Sequence, residues 1–244
     1  MTGAEATQPS TSDDTVEMPA AVLWDMDGTL VDSEKLWDIP LFEFAEQLGG
    51  RLSTLARASM VGSNMNRTVR LLFAEFGLKP DAEEMDRAAE WIRARTVELF
   101  ASGLAWRPGA EEALRAVRAA GVPTALVTST ERALTEVVLR TIGREFFDVT
   151  VCGDEVDGRN KPDPEPYLRA ARLLGVPPEE CVAVEDSPTG ATSAESAGCV
   201  VFVVPCDVAV PGGGRRVLRD SLVGVDAELL GRLVNCGCSC GRPC

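Results

Sequence analysis

The chain has 244 residues, 45% hydrophobic and 25% charged, enough to bury a sizeable core as one large domain or two smaller ones. Its formal net charge of −14 disfavours any partner that presents a phosphate backbone or an anionic membrane surface, so neither nucleic acid nor membrane is expected to bind. The absence of histidine removes Ser-His-Asp and Cys-His catalysis and every His-ligated metal site, leaving carboxylates, hydroxyls and amines to do any chemistry.

The first residues, MTGAEATQPSTSDDTVEMP, lack the basic start and apolar centre of a signal peptide, and no apolar run approaches the roughly 18 residues of a membrane helix. Residues 1–18 are read as a disordered acidic lead-in and the protein as cytoplasmic. AAVLW, residues 20–24, then fits a buried strand that delivers Asp25 and Asp27 to a loop at Gly28. From Glu34 onward LWDIPLFEFAEQLGG, TVRLLFAEFGL and DAEEMDRAAEWIRARTVELF each space apolar residues three or four apart, which predicts helices with no strand between them.

Trp106-Arg107-Pro108-Gly109 punctuates the chain, and beyond it helices and strands alternate. Helix AEEALRAVRAAG, strand PTALVT, helix ERALTEVVLRTIG and strand FFDVTVC are followed by helix PEPYLRAARLLG, strand CVAVE, a helix over PTGATSAESAG and strand CVVFVV. Such β-helix-β order calls for right-handed crossovers and a parallel sheet covered on both faces. The predicted fold class is α/β: a doubly wound, Rossmann-like parallel sheet formed by residues 19–33 and 106–234, with an inserted α-helical cap domain at 34–105.

Of the eight cysteines, Cys152, Cys181, Cys199 and Cys206 lie in apolar or strand-like stretches and suit small buried hydrophobes in a reducing compartment. Cys236, Cys238, Cys240 and Cys244 crowd the tail 235–244. Their spacing does not match paired C-x-x-C zinc ligands, and the Gly, Ser and Pro between them suit a flexible tail with exposed thiols.

Ligands of parallel sheets bind beyond the carboxyl ends of the strands, so the residues that follow each strand form the candidate site. The first strand delivers Asp25 and Asp27, the second Thr128 and Ser129, the third leads to Lys161 in GDEVDGRNKPDP, and the fourth delivers Glu185 and Asp186. Thr128 and Ser129 also fit a helix cap near Glu131, and Glu185 and Asp186 the start of the next helix. Acidic residues from two strand ends supply hard oxygen ligands for Mg²⁺, which relieves the like-charge repulsion of the Asp25–Asp27 pair. One carboxylate is then free to act as nucleophile while its neighbour carries a proton, with Lys161 and Thr128 holding phosphoryl oxygens and Gly28 admitting the phosphate to the backbone.

DMDGT, the Thr of LVTST, the Lys of NKPDPEPYLRAA and the acidic pair of VEDSPTG resemble, in order, the four motifs of the haloacid dehalogenase superfamily. The resemblance covers about residues 20–205, and the helical insertion is similar to the cap of the phosphatase and β-phosphoglucomutase branch of subfamily IA. It implies that Asp25 becomes an aspartyl phosphate, that Asp27 protonates the leaving alkoxide, later activates water and lends its carbonyl to the metal, and that Glu185 and Asp186 complete a Mg²⁺ site. Thr128 and Lys161 bind the phosphoryl group by the same resemblance, and Ser129, beside Thr128 at the strand end, is a further phosphate-binding candidate. Arg67, Arg70 and Trp37 are the cap residues expected to meet the substrate, and DSEKLW resembles the DSEPLW of bacterial sugar-phosphate phosphatases.

The expected activity is Mg²⁺-dependent hydrolysis of a small phosphorylated metabolite, a sugar or polyol phosphate, by a monomer or homodimer. The alternative is a phosphosugar mutase. Trp37 and Met65 stand where mutases of that branch carry a histidine and an arginine, which argues against it. A phosphorylated receiver domain takes its phosphate on a middle strand and lacks the helical insertion. A silent binding protein on the same fold is the remaining alternative, against which both Asp25 and Asp27 are intact.

Overall fold

The computed structural model describes residues 18–236. Residues 1–17 of the lead-in lie outside them, as do Cys238, Cys240 and Cys244 and the side chain of Cys236. Six strands, β1 (Ala21–Trp24), β2 (Thr124–Val127), β3 (Val149–Val151), β4 (Cys181–Glu185), β5 (Val200–Val203) and β6 (Arg216–Leu218), form one sheet in the order β3-β2-β1-β4-β5-β6, with every neighbouring pair parallel. This is the doubly wound parallel sheet that the alternating pattern predicts. β1 lies at its centre, registered with β2 on one side (Leu23 beside Ala125) and β4 on the other (Leu23 beside Ala183). All four residues of β1 are buried, because helices cover both faces of the sheet.

The period-2 alternation of the strands divides the core into two layers. Val22, Trp24, Leu126, Val184 and Phe202 pack on one face against α5 (Ala110–Ala119), α6 (Arg132–Ile142) and α9 (Ala227–Cys236). Leu23, Val127, Ala183 and Val201 face the other way, onto α7 (Glu165–Leu174) and α8 (Pro188–Ser196). Alanines at positions 170, 191 and 194 let those two helices approach the sheet closely.

Between β1 and α5 the chain forms α1 (Glu34–Gln47), α2 (Thr54–Met60), α3 (Met65–Glu75) and α4 (Ala82–Ala101), which bury a cluster of their own around Leu41, Phe44, Met60, Val69, Leu72 and Ile92. Ser53, Asn64 and Asp81 cap α2, α3 and α4, and Asp81 forms a reciprocal capping box with Glu84. The two segments joining this helical unit to the sheet pair with each other: the Asp32 amide donates to the Ala105 carbonyl and the Arg107 amide to that of Leu30. At their end Gly109, φ +78°, starts α5 where an added Cβ would lie 2.3 Å from the Val223 nitrogen.

Among the described residues no helix is long and apolar enough to cross a membrane. Cys152, Cys181 and Cys199 are buried free thiols and Cys206 is half-buried.

Leu72 is fully buried in the helical unit, whereas Leu55 on α2 is 83% exposed. Leu72→Ala is expected to cost about 2–5 kcal/mol and Leu55→Ala under about 0.5, read from urea denaturation midpoints.

Candidate active site

Parallel pairing puts the carboxyl ends of β1, β2 and β4 side by side, so residues distant in sequence meet at one edge. Asp25 follows β1, Thr128 follows β2, and Glu185 ends β4 with Asp186 behind it. Lys161 comes from the loop after β3. Its ammonium donates to Asp25 Oδ1 at 2.7 Å, Glu185 Oε1 at 2.6 Å and the Val127 carbonyl at 2.9 Å, which uses its three donors. Glu185 is held further by the Tyr167 hydroxyl on Oε1 and by the Ser187 hydroxyl and Asp186 amide on Oε2.

These charges are buried: Asp25 is 6% exposed, Lys161 4%, Glu185 0% and Asp186 2%. Burial opposes the charge on Lys161, but Asp25 and Glu185 outweigh it and hold its pKa above the ordinary lysine value. For Asp25 the balance goes the other way. Burial pushes its carboxyl up to about 7, with the Glu185 charge adding and the Lys161 charge opposing. Asp186 is likewise pushed up, first by burial and then by the charges of Asp25 and Glu185.

Three acidic side chains therefore share one ammonium. Asp25, Glu185 and Asp186 each offer a carboxylate oxygen within 4.8 Å of the others. Asp186 Oδ2 is buried without a hydrogen-bond partner, the kind of orphaned acceptor that a cation satisfies. Gly28 sits against it: at φ +79° an added Cβ would lie 2.2 Å from that same oxygen. The donor set, all hard oxygens with excess negative charge, fits a divalent cation.

Asp27, half-buried, has a different environment. Oδ1 accepts from the Ser33 hydroxyl at 2.6 Å and the Trp37 indole at 3.0 Å, and Oδ2 from the Thr130 hydroxyl at 2.7 Å, with Thr128 Oγ1 at 3.5 Å. Neither Thr128 nor Ser129 caps α6, whose N-cap is Glu131. Thr128 Oγ1 accepts instead from the Thr130 amide, and the Ser129 hydroxyl donates across to the Gly62 carbonyl of the helical unit. The Glu185–Asp186 pair does not cap α8 either, since Ser187 does.

Arg67 and Arg70 do not join this group. They are exposed on α3 and line an open cleft with Asn160 and Lys161, which shares Met65 and Glu131 with the cavity above the carboxylates. Thr130, Ser33, Tyr167, Glu34 and Arg57 reach the site without having been anticipated. Thr130 lies in LVTST and Tyr167 on the buried face of a predicted helix, but nothing local marks Arg57, whose role depends on α2 folding back.

Fold and donor set define a doubly wound α/β enzyme whose helical insertion covers the strand ends. The family model of haloacid dehalogenase-like hydrolases matches residues 19–198. Hexitol phosphatase A of Escherichia coli is 34% identical over 190 residues, 78% of this chain and 84% of that protein. The phosphorylated carbohydrates phosphatase of Thermotoga maritima is 34% identical over 179 residues, 73% of this chain and 81% of that protein. The crystal structure of CbbY from Rhodobacter sphaeroides in complex with xylulose-(1,5)bisphosphate has a TM-score of 0.77 and 30% identity, covering 87% of this chain and 99% of that one. The chain belongs to the haloacid dehalogenase-like hydrolases, among their phosphoric monoester hydrolases.

The raised carboxyls make stability depend on pH. Asp25 goes from 3.8 to about 7 on folding and Glu34 from 4.5 to about 7, burial being the chief cause for both. Within those windows the folded protein keeps protons that the unfolded chain has released, so stability falls as pH rises from about 4 to about 7. The urea midpoint in EDTA is expected to be higher near pH 5 than near pH 8, and Mg²⁺ to shrink the difference by favouring the ionised carboxylates.

Proposed function

We propose that the protein is a Mg²⁺-dependent phosphatase that hydrolyses a sugar or polyol monophosphate through an aspartyl phosphate on Asp25. The observation that carries this is the buried Lys161 ammonium 2.7 Å from Asp25, beside a three-carboxylate cluster with an orphaned oxygen on Asp186. Asp25, Glu185 and Asp186 would hold the ion, with the Asp27 carbonyl. Bound there, Mg²⁺ offsets the carboxylate charge, keeps Asp25 ionised and polarises a phosphoryl oxygen.

Asp25 attacks phosphorus with one carboxylate oxygen as the ester bond to the leaving alcohol breaks. Asp27 gives that alkoxide its proton, then takes one from the water that hydrolyses the aspartyl phosphate. The two aspartates divide the labour by environment: Asp25 touches the ammonium, whereas Asp27 is held by the neutral donors Ser33, Trp37 and Thr130. Lys161 and the Thr128 hydroxyl stabilise the equatorial phosphoryl charge, and Ser129 ties the helical unit, read as a cap spanning 34–105, to the core. The sugar or polyol class is supported by relatives named for hexitols and phosphorylated carbohydrates.

Phosphate release from a panel of sugar, polyol, glycolate and nucleotide monophosphates tests this reading. Release is expected with Mg²⁺ and lost with EDTA. Asp25→Asn is expected to be inactive, and Asp27→Asn to lose on the order of 10²-fold or more in kcat. Activity that survives Asp25→Asn would sink the mechanism.

A further inference from the structure

A cavity above Asp25 and Asp27 runs into the helical unit, where its walls are Trp37, Leu41, Met60 and Met65 together with Glu34 and Arg57. Glu34 and Arg57 are 4% and 8% exposed, so both charges are removed from bulk water. Arg57 donates through Nη2 to Glu34 Oε2 at 2.7 Å and to the Glu34 carbonyl at 3.2 Å, and through Nε to Asp38 Oδ1 at 2.5 Å. One guanidinium thus serves two carboxylates, and once Glu34 is ionised, above about pH 7, the trio carries an excess negative charge. Glu34 Oε1, in contrast to Oε2, receives no hydrogen bond among the described residues.

Arg57 is the only cation among the described residues lining this cavity, and its charge is already committed. Glu131, a wall residue from the core at the start of α6, is neutralised by Arg93 of α4 at 2.6 Å. Arg67 and Arg70 do not line this cavity; they line the adjoining open cleft, which shares Met65 and Glu131 with it. A second anion held within this cavity would therefore meet carboxylates and no free cation, whereas hydroxyls would meet an acceptor and their CH groups an apolar wall.

We propose that the Glu34–Arg57 pair makes this site selective for phosphate monoesters whose leaving group is uncharged and hydroxylated, Glu34 accepting hydrogen bonds from its hydroxyls and excluding a second phosphate or a carboxylate. The proposal rests on the phosphatase reading and deepens it. Arg57 is a positioning residue here, because it fixes the Glu34 carboxylate at two points.

The test measures kcat/KM with Mg²⁺ at about pH 8.5, where Glu34 is ionised, for matched pairs that differ by one anionic group, fructose 6-phosphate against fructose 1,6-bisphosphate and 2-hydroxyethyl phosphate against phosphoglycolate, with p-nitrophenyl phosphate as a general reporter. The native enzyme is expected to favour the singly anionic member of each pair by about tenfold or more, the scale of one uncompensated charge in a partly buried site. Glu34→Gln, which keeps the shape and removes the charge, is expected to reduce that ratio severalfold. Equal or preferred turnover of the bisphosphate or of phosphoglycolate by the native enzyme overturns the selectivity and leaves the phosphatase reading standing. A native ratio that Glu34→Gln leaves unchanged overturns the role of Glu34. No release from any compound, p-nitrophenyl phosphate included, overturns the phosphatase reading and the selectivity with it. Because the native ratios need no variant, a misfolded Glu34→Gln protein does not shield the proposal.

Discussion

The arrangement of this protein turns on one buried ammonium. Lys161 satisfies Asp25, Glu185 and the Val127 carbonyl at once, and without it two buried carboxylates would face each other uncompensated. Its reach requires β1, β2 and β4 to be neighbours with level carboxyl ends, which is what the central position of β1 provides. Tyr167 and Ser187 then fasten Glu185, so the rigid part of the cluster belongs to the sheet and its helices. The charge left over after Lys161 is counted, with the unpartnered oxygen of Asp186, is what makes the site fit for a cation.

Around that fixed centre the helical unit supplies the adjustable half. Asp27 is gripped from the core by Thr130 and from the segment entering α1 by Ser33 and Trp37. The Ser129–Gly62 hydrogen bond and the Arg93–Glu131 ion pair tie the same two halves together farther out. A movement of the helices would therefore be felt at Asp27 as well as at the cavity wall, which would link substrate enclosure to the proton transfer proposed for Asp27. The Glu34–Arg57–Asp38 trio lies wholly within the helical unit and shapes the cavity without touching the Lys161 cluster.

Elements with a strong apolar rhythm were legible. β1, β2, β4 and β5 are continuous apolar runs because both their faces are buried, and α3, α5, α6 and α7 show one clear apolar stripe. Others carried little local signal. The seven-residue α2, the three-residue edge strand β6 after a glycine run and α9 near the tail fall outside the predicted elements. Short elements gain most of their stability from what they pack against, which a local pattern does not record. The same limit applied to the site. Asp25, Lys161 and Glu185 stand in distinctive motifs, whereas no such motif marks Arg67 and Arg70, which line an open cleft with Lys161.

Composition and motif order by themselves determined that carboxylates, hydroxyls and one lysine stand at the ends of parallel strands, with a run of helices inserted after the first of them. Strand rhythm and the residues that interrupt it are local properties, so one dimension is enough to show them. Tertiary structure alone decided that Asp27 is held by Trp37 and Thr130, that Arg57 is spent on Glu34 and Asp38, and that Asp186 keeps an unpartnered oxygen. Partnership between charges depends on distances of a few ångströms between segments far apart in the chain, and only packing sets those distances.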